Sequence, residues 1–150
     1  MTRRVIFLDI DGVLAPIRRW DRYGDLDRAC VEVLNEIAAR AGADVVVSST
    51  WRHGRSVAEL QEMLRAQGFT GRVVGKTPTG AAGAARGDEI AAWLAANPVA
   101  GYVIIDDHHV DMGALGTRLV QTQPAHGLQP ADAPRAIAML MLPVPEAPPG

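Results

Sequence analysis

The sequence predicts an α/β fold, a mainly parallel sheet of about five strands between helical layers, on two observations. Apolar runs of four or five residues alternate along the chain with stretches of helical periodicity, the pattern left by parallel strands and the helices that connect them. Two of those runs end in paired aspartates, Val5-Ile6-Phe7-Leu8-Asp9-Ile10-Asp11-Gly12 and Tyr102-Val103-Ile104-Ile105-Asp106-Asp107.

The elements follow in order. Strand one covers about Arg4 to Leu8, and a polar, aromatic-containing stretch runs from Pro16 to Asp25. Cys30, Val33, Leu34, Ile37, Ala38 and Ala41 then recur at helical spacing until Gly42 ends the helix. Val45 to Val47 is strand two. Ser56 and Glu59 have the spacing of a capping box, and Val57, Leu60 and Leu64 form the apolar stripe of a helix stopped by Gly68. Val73-Val74 is a short third strand, and Gly75 to Gly87, rich in Gly, Ala, Thr and Pro, reads as a loop. A helix from Asp88 to Ala96 turns Ile90, Trp93 and Leu94 inward and stops at Asn97-Pro98. Tyr102 to Ile105 is strand four, Arg118 to Gln121 strand five, and Pro130 to about Leu140 the last helix. Four of the final eight residues are proline, so the domain is expected over 1–142 and a disordered tail over 143–150.

Composition sets the bounds. With 150 residues, 48% of them hydrophobic, the chain can bury one core and is short for two. A net charge of −2 rules out a global polycation, although a local basic patch remains compatible with it. The single cysteine, Cys30, excludes an intrachain disulfide and a Cys-rich zinc site. Met1-Thr2-Arg3-Arg4 is basic, but the apolar run behind it is short and broken by Asp9 and Asp11, so neither a signal peptide nor a membrane span is expected. The expected location is the cytoplasm, with no membrane partner.

Carboxylates gathered at the ends of neighbouring buried strands repel one another and lose hydration, so protons or a cation must offset their charge. Mg²⁺ suits such a site because it takes oxygen ligands and keeps waters and substrate phosphate in its shell.

In this order the motifs resemble the haloacid dehalogenase superfamily of phosphohydrolases. The resemblance rests on Asp9-Ile10-Asp11-Gly12 after strand one, Ser48-Ser49-Thr50 after strand two, Lys76 or Arg86 at or before a later helix, and Asp106-Asp107 after strand four. Ser-Ser-Thr-Trp-Arg, Lys-Thr-Pro and Arg-Gly-Asp-Glu-Ile-Ala-Ala-Trp-Leu are similar to the small branch without a cap domain that includes phosphatase domains of nucleic-acid repair proteins. The resemblance implies a Rossmann-like three-layer sandwich and a Mg²⁺-dependent phosphomonoesterase. Asp9 would be the nucleophile that forms an aspartyl-phosphate. Asp11 would protonate the leaving oxygen and later take a proton from water. Gly12 would bring backbone amides toward the phosphate. Asp9, the carbonyl of Asp11, and Asp106 would hold the ion, with Asp107 beside them or sharing the ligation.

The residues leave two assignments open. Strand alternation favours Ser48 as the hydroxyl on the phosphate, whereas alignment by Trp51 favours Ser49, which is preferred, with Thr50 adjoining. Arg86 is preferred to Lys76 as the cation on nucleophile and phosphate. Arg52 is a candidate for a distal substrate phosphate.

Only about fourteen residues separate Gly12 from the first helix, too few for a cap, so an open site is expected. In Pro16–Tyr23, Arg18, Arg19 and Arg22 interleave with Trp20 and Tyr23, a composition suited to stacking a base and binding extra phosphates of a nucleotide or nucleic-acid end. It equally describes a solvated flap. His108 and His109 are adjacent and point apart in extended chain, so joint metal ligation is not expected. Gly71 to Thr77 is one residue short of a P-loop, and Pro78 spoils the helix that should follow. A receiver-type signalling domain would place its acidic pair first and a single phosphoacceptor aspartate in mid-chain, the reverse of the order here. The alternative within the same fold is a catalytically silent module that associates with a partner in a Mg²⁺-dependent way.

Overall fold

The computed structural model describes residues 3–16, 26–79, 85–108 and 112–144. Five strands form one sheet: β1 (Arg4–Leu8), β2 (Ala43–Val47), β3 (Val73–Lys76), β4 (Gly101–Asp106) and β5 (Leu119–Gln121). Their order is β3-β2-β1-β4-β5 and every pairing is parallel. This is the expected sandwich, with a sheet that is parallel throughout. Four helices connect the strands: α1 (Arg28–Ala41), α2 (Val57–Ala66), α3 (Arg86–Ala96) and α4 (Asp132–Met141). Between β2 and β3 the chain makes only the short 3₁₀ turn Thr50–Arg52 and α2.

The pleat sends alternate residues of each strand to opposite faces. Ile6, Leu8, Val45, Val47, Val103 and Ile105 face a core shared with α1, α2 and α4. Val5, Phe7, Val46, Tyr102 and Ile104 face the other way, onto Ile90 and Trp93 of α3. Phe7 meets the rings of Trp93 and Tyr102 edge to face at 5.5 and 5.8 Å, a geometry that aligns ring edges with π faces.

Local signals explain the ends of α1 and the start of α2. Ser56 and Glu59 form the reciprocal capping box that their spacing suggested. Gly42 closes α1 in the left-handed region at φ 62°, where a side chain would be strained. Asp27, whose carboxylate accepts from the amides of Ala29 and Cys30, starts α1 about where the sequence reading places the first helix. Some other ends differ from that reading. α3 begins at Arg86 rather than Asp88, because the buried Gly87 continues the helix instead of breaking it. β3 runs on to Lys76, and β4 takes in Asp106, so the first acid of the second pair is itself a strand residue. A 3₁₀ segment at Gly113–Arg118 precedes β5.

Arg118 is 9% exposed and holds the end of α4, donating to the carbonyls of Met139, Leu142 and Pro143. The Val144 amide reaches the Ala100 carbonyl. Of the expected tail, Pro143 and Val144 are thus tied to the domain, and 145–150 lies outside the described residues. No helix among the described residues is long and apolar enough to cross a membrane.

Candidate active site

The order β3-β2-β1-β4-β5 makes the chain reverse direction across the sheet after β3, leaving a crevice at the C-terminal ends of β1 and β4. Ligands of open α/β sheets bind at such a switch point. Strand alternation decides which side chains reach it. Asp9 is two residues beyond Phe7, Asp106 two beyond Ile104 and Ser48 two beyond Val46. All three therefore share the face covered by α3, at the helix end that begins with Arg86.

Arg86 lies between the two acidic motifs. One of its terminal nitrogens is 3.3 Å from Asp9 Oδ1 and 2.6 Å from Asp106 Oδ2. The other oxygen of Asp106 accepts from the His108 amide at 3.0 Å. Asp9, Asp106 and Asp107 are all buried. Burial, and then the Asp106 charge, push the Asp9 carboxyl up to about 8, against the opposing pull of Arg86. Burial also raises Asp106, again opposed by Arg86. One guanidinium therefore does not compensate the carboxylates packed here.

The turn after β1 shapes the rest. The amides of Val13, Leu14 and Ala15 converge on the Ile10 carbonyl, and Gly12 sits at φ 80°, where a Cβ would collide with the Asp107 carboxylate. Glycine is thus required twice over, by backbone conformation and by space. Asp11, half-buried, receives the Trp51 indole N–H on Oδ2 at 3.1 Å. The buried Thr122 hydroxyl donates to the Gly12 carbonyl at 2.6 Å, and its amide donates to the Asp106 carbonyl. Thr122 thereby ties the turn after β1 to the end of β4.

The two serines differ in what they do. Ser49 Oγ accepts from the Trp51 amide and caps the 3₁₀ turn. Ser48 Oγ is buried and without a hydrogen-bond partner among the described residues. Thr50 is exposed at the start of that turn. Of the two cations left open by the sequence, Arg86 reaches Asp9 and Asp106, while Lys76 Nζ donates to the Arg55 carbonyl at 2.7 Å. Arg52, expected to meet a distal phosphate, is 4% exposed. Each of its nitrogens is engaged, by the carbonyls of Ser48, Ser49 and Thr77 and by Glu89 Oε2 at 2.9 Å. It knits the ends of β2, β3 and α3 together from inside. Arg18, Arg19, Trp20 and Tyr23 lie outside the described residues, as does His109.

The donor set suits a hard cation. Asp106, Asp107 and His108 offer ligand atoms within 4.8 Å of one another, and Asp9 shares Arg86 with Asp106. His108, largely exposed, sits with Nδ1 2.9 Å from Asp107 Oδ1. Trp51 and Thr122 were not recognised as contributors from the sequence. Trp51 stood in a recognised motif, which was its only signal, and Thr122 had none.

A parallel three-layer sheet whose first strand delivers Asp-x-Asp, and whose fourth delivers an acidic pair to the same crevice, defines a domain of the haloacid dehalogenase (HAD) class. The chain belongs to the family described as the HAD domain in Swiss Army Knife RNA repair proteins, whose sequence profile matches residues 5–133. No curated protein matches the chain.

Proposed function

We propose that the chain is a Mg²⁺-dependent phosphomonoesterase acting on a nucleotide or a nucleic-acid end. The observation that carries this reading is the convergence of Asp9, Asp106 and Arg86 at the ends of β1 and β4. The family's description, which names RNA repair, supports the choice of substrate.

Asp9 attacks the phosphorus, the ester P–O bond breaks, and the leaving oxygen takes the Asp11 proton. Water then attacks the phosphorus of the aspartyl-phosphate and gives a proton to Asp11, so that inorganic phosphate leaves and both carboxyls return to their starting states. Asp9, Asp106, Asp107 and the carbonyl of Asp11 would hold Mg²⁺, which when bound supplies charge neutralisation at the phosphate oxygens. Arg86 aligns Asp9 and stabilises the transferring phosphoryl group. Ser48, rather than Ser49, is the hydroxyl for a phosphate oxygen, since Ser49 Oγ already caps the 3₁₀ turn and buried hydroxyls without partners are rare in folded proteins.

Phosphate release across nucleotides, oligonucleotide 3′ and 5′ phosphates, sugar phosphates and phosphopeptides tests the reading. Release that requires Mg²⁺, stops with chelator and is fastest on nucleotides or oligonucleotide ends is expected. No release from any of them would overturn it in favour of a silent binding module.

Trp51 has a positioning role, because its indole N–H fixes one oxygen of Asp11 and leaves the other for proton transfer. Trp51→Phe is expected to lower kcat/KM about tenfold on alkyl phosphate esters, a part of the 10²–10⁴ that general acids contribute. It should do so far less on p-nitrophenyl phosphate, whose leaving group needs no proton. Equal losses on both esters would show a merely structural role.

A further inference from the structure

A cleft of about 540 Å³ opens between α3 and the exit of β3. His53 and Thr77 to Thr79 form one wall, and Ala92 and Trp93 the other. In a chain of net charge −2, the cleft lining holds no carboxylate among the described residues, and its ionisable residues there are Arg52, His53 and Lys76. Arg52 is neutralised by Glu89. Lys76 spends one ammonium donor on a carbonyl and keeps two.

A second observation comes from the hydroxyls. Thr77 is 2% exposed, and its Oγ1, like Ser48 Oγ, has no partner among the described residues. The two residues end neighbouring strands, with the Thr77 amide bonded to the Val47 carbonyl. Two desolvated, unpartnered hydroxyls at neighbouring strand ends are costly to the fold, and the sheet order steps from β1 through Ser48 after β2 to Thr77 after β3, which lines the cleft. Arg52 joins the two places, since it binds the carbonyls of Ser48 and Thr77 and also lines the cleft. From β1 to β3 is two strand spacings, about 10 Å, the reach of one nucleotide and more than a small ester spans.

We propose that this cleft binds the nucleotide adjoining the terminal one of a nucleic-acid strand whose end phosphate sits over Asp9. Lys76, His53, Thr77 and Thr79 donate to its phosphodiester and sugar oxygens, and Ala92 and Trp93 form the apolar wall for the ring. The placement of the strand rests on the phosphomonoesterase reading, but affinity for the strand can be measured without turnover.

The first test is Ala92→Trp, at an exposed position of α3. Binding of fluorescein-labelled RNA and DNA decamers with a terminal phosphate is followed by anisotropy in Mg²⁺, and turnover of the same oligonucleotides is compared with p-nitrophenyl phosphate. A rise of about tenfold in oligonucleotide Kd and KM, with unchanged kcat/KM on p-nitrophenyl phosphate, is expected from displacing one stacked nucleotide. Thr77→Val is the second variant. It should bind the decamers more weakly while melting no lower than wild type, because removing an unpartnered buried hydroxyl leaves the fold intact. Unchanged decamer affinity in both variants would overturn the proposal even in an active enzyme, and equal weakening for a nucleoside monophosphate would assign the cleft to the terminal nucleoside instead. Should the wild type hydrolyse nothing, the hydrolase reading fails and the anisotropy data alone decide the cleft.

Discussion

Asp9→Asn is expected to abolish phosphate release, on the order of 10⁴-fold or more, the loss seen when a covalent nucleophile is removed. The substitution keeps size and shape while deleting both the nucleophilic oxygen and a cation ligand. It should cost little stability. With its carboxyl pushed up to about 8, Asp9 in the metal-free protein is mostly uncharged at pH 7, so a neutral amide is a close substitute for it. The Asp9 amide, which holds the strand end through the Ile105 carbonyl, is untouched. The expected pair of results is therefore a dead enzyme with a melting temperature in chelator no lower than wild type. Brief incubation with ³²P-labelled substrate followed by acid quench should leave label on the wild-type protein and none on the variant. Retention of more than about a tenth of wild-type turnover would remove Asp9 from the nucleophile's place, since such losses are otherwise orders of magnitude larger.

How much of this was legible in the chain depends on the range of the interaction. The sheet was readable because each buried parallel strand is a short apolar run. Period-2 alternation carries the same logic to Asp9, Ser48 and Asp106, each two residues beyond a side chain on the α3 face. Capping was readable where two residues declare it, as with Ser56 and Glu59, and missed where one carboxylate acts alone, as with Asp27. The start of α3 was misread because glycine suggests a loop, whereas Gly87 is buried within the helix. Contacts between distant segments left no local trace. Trp51 meets Asp11 across 40 positions and Thr122 meets Gly12 across 110. Arg52 misled for a related reason. An arginine beside a phosphate motif suggests a substrate anion, but this one is buried among carbonyl oxygens at the ends of β2 and β3 and the Glu89 carboxylate of α3, and only the packed fold brings those together.

Stability in the absence of metal is expected to fall as pH rises, and Mg²⁺ to restore it. Asp9 has an ordinary value of 3.8 and is pushed up to about 8 in the fold. Between those values the folded chain holds a proton that the unfolded chain has released, so folding weakens with increasing pH across that window and levels off above it. Asp106 is shifted in the same direction and adds to the slope. Arg86 lies within 3.3 Å of both carboxylates and limits the loss without cancelling it. A divalent cation binds the ionised carboxylates and stabilises the fold by mass action, so its effect should grow over the same window in which the apo protein weakens. In thermal melts at pH 5.5, 7.0 and 8.5, the chelated protein should melt lower at the highest pH, and saturating Mg²⁺ should raise its melting temperature there by about 5 °C or more, equivalent to one or two kcal/mol in a domain of this size. The rise at pH 5.5 should be markedly smaller. Asp9→Asn should lessen the pH dependence in chelator, because it removes one of the two raised carboxyls that carry it. A Mg²⁺ response of the same size at pH 5.5 and 8.5 would mean that the ion is held by groups other than this buried cluster, and Asp9, Asp106 and Asp107 would lose their place as its ligands.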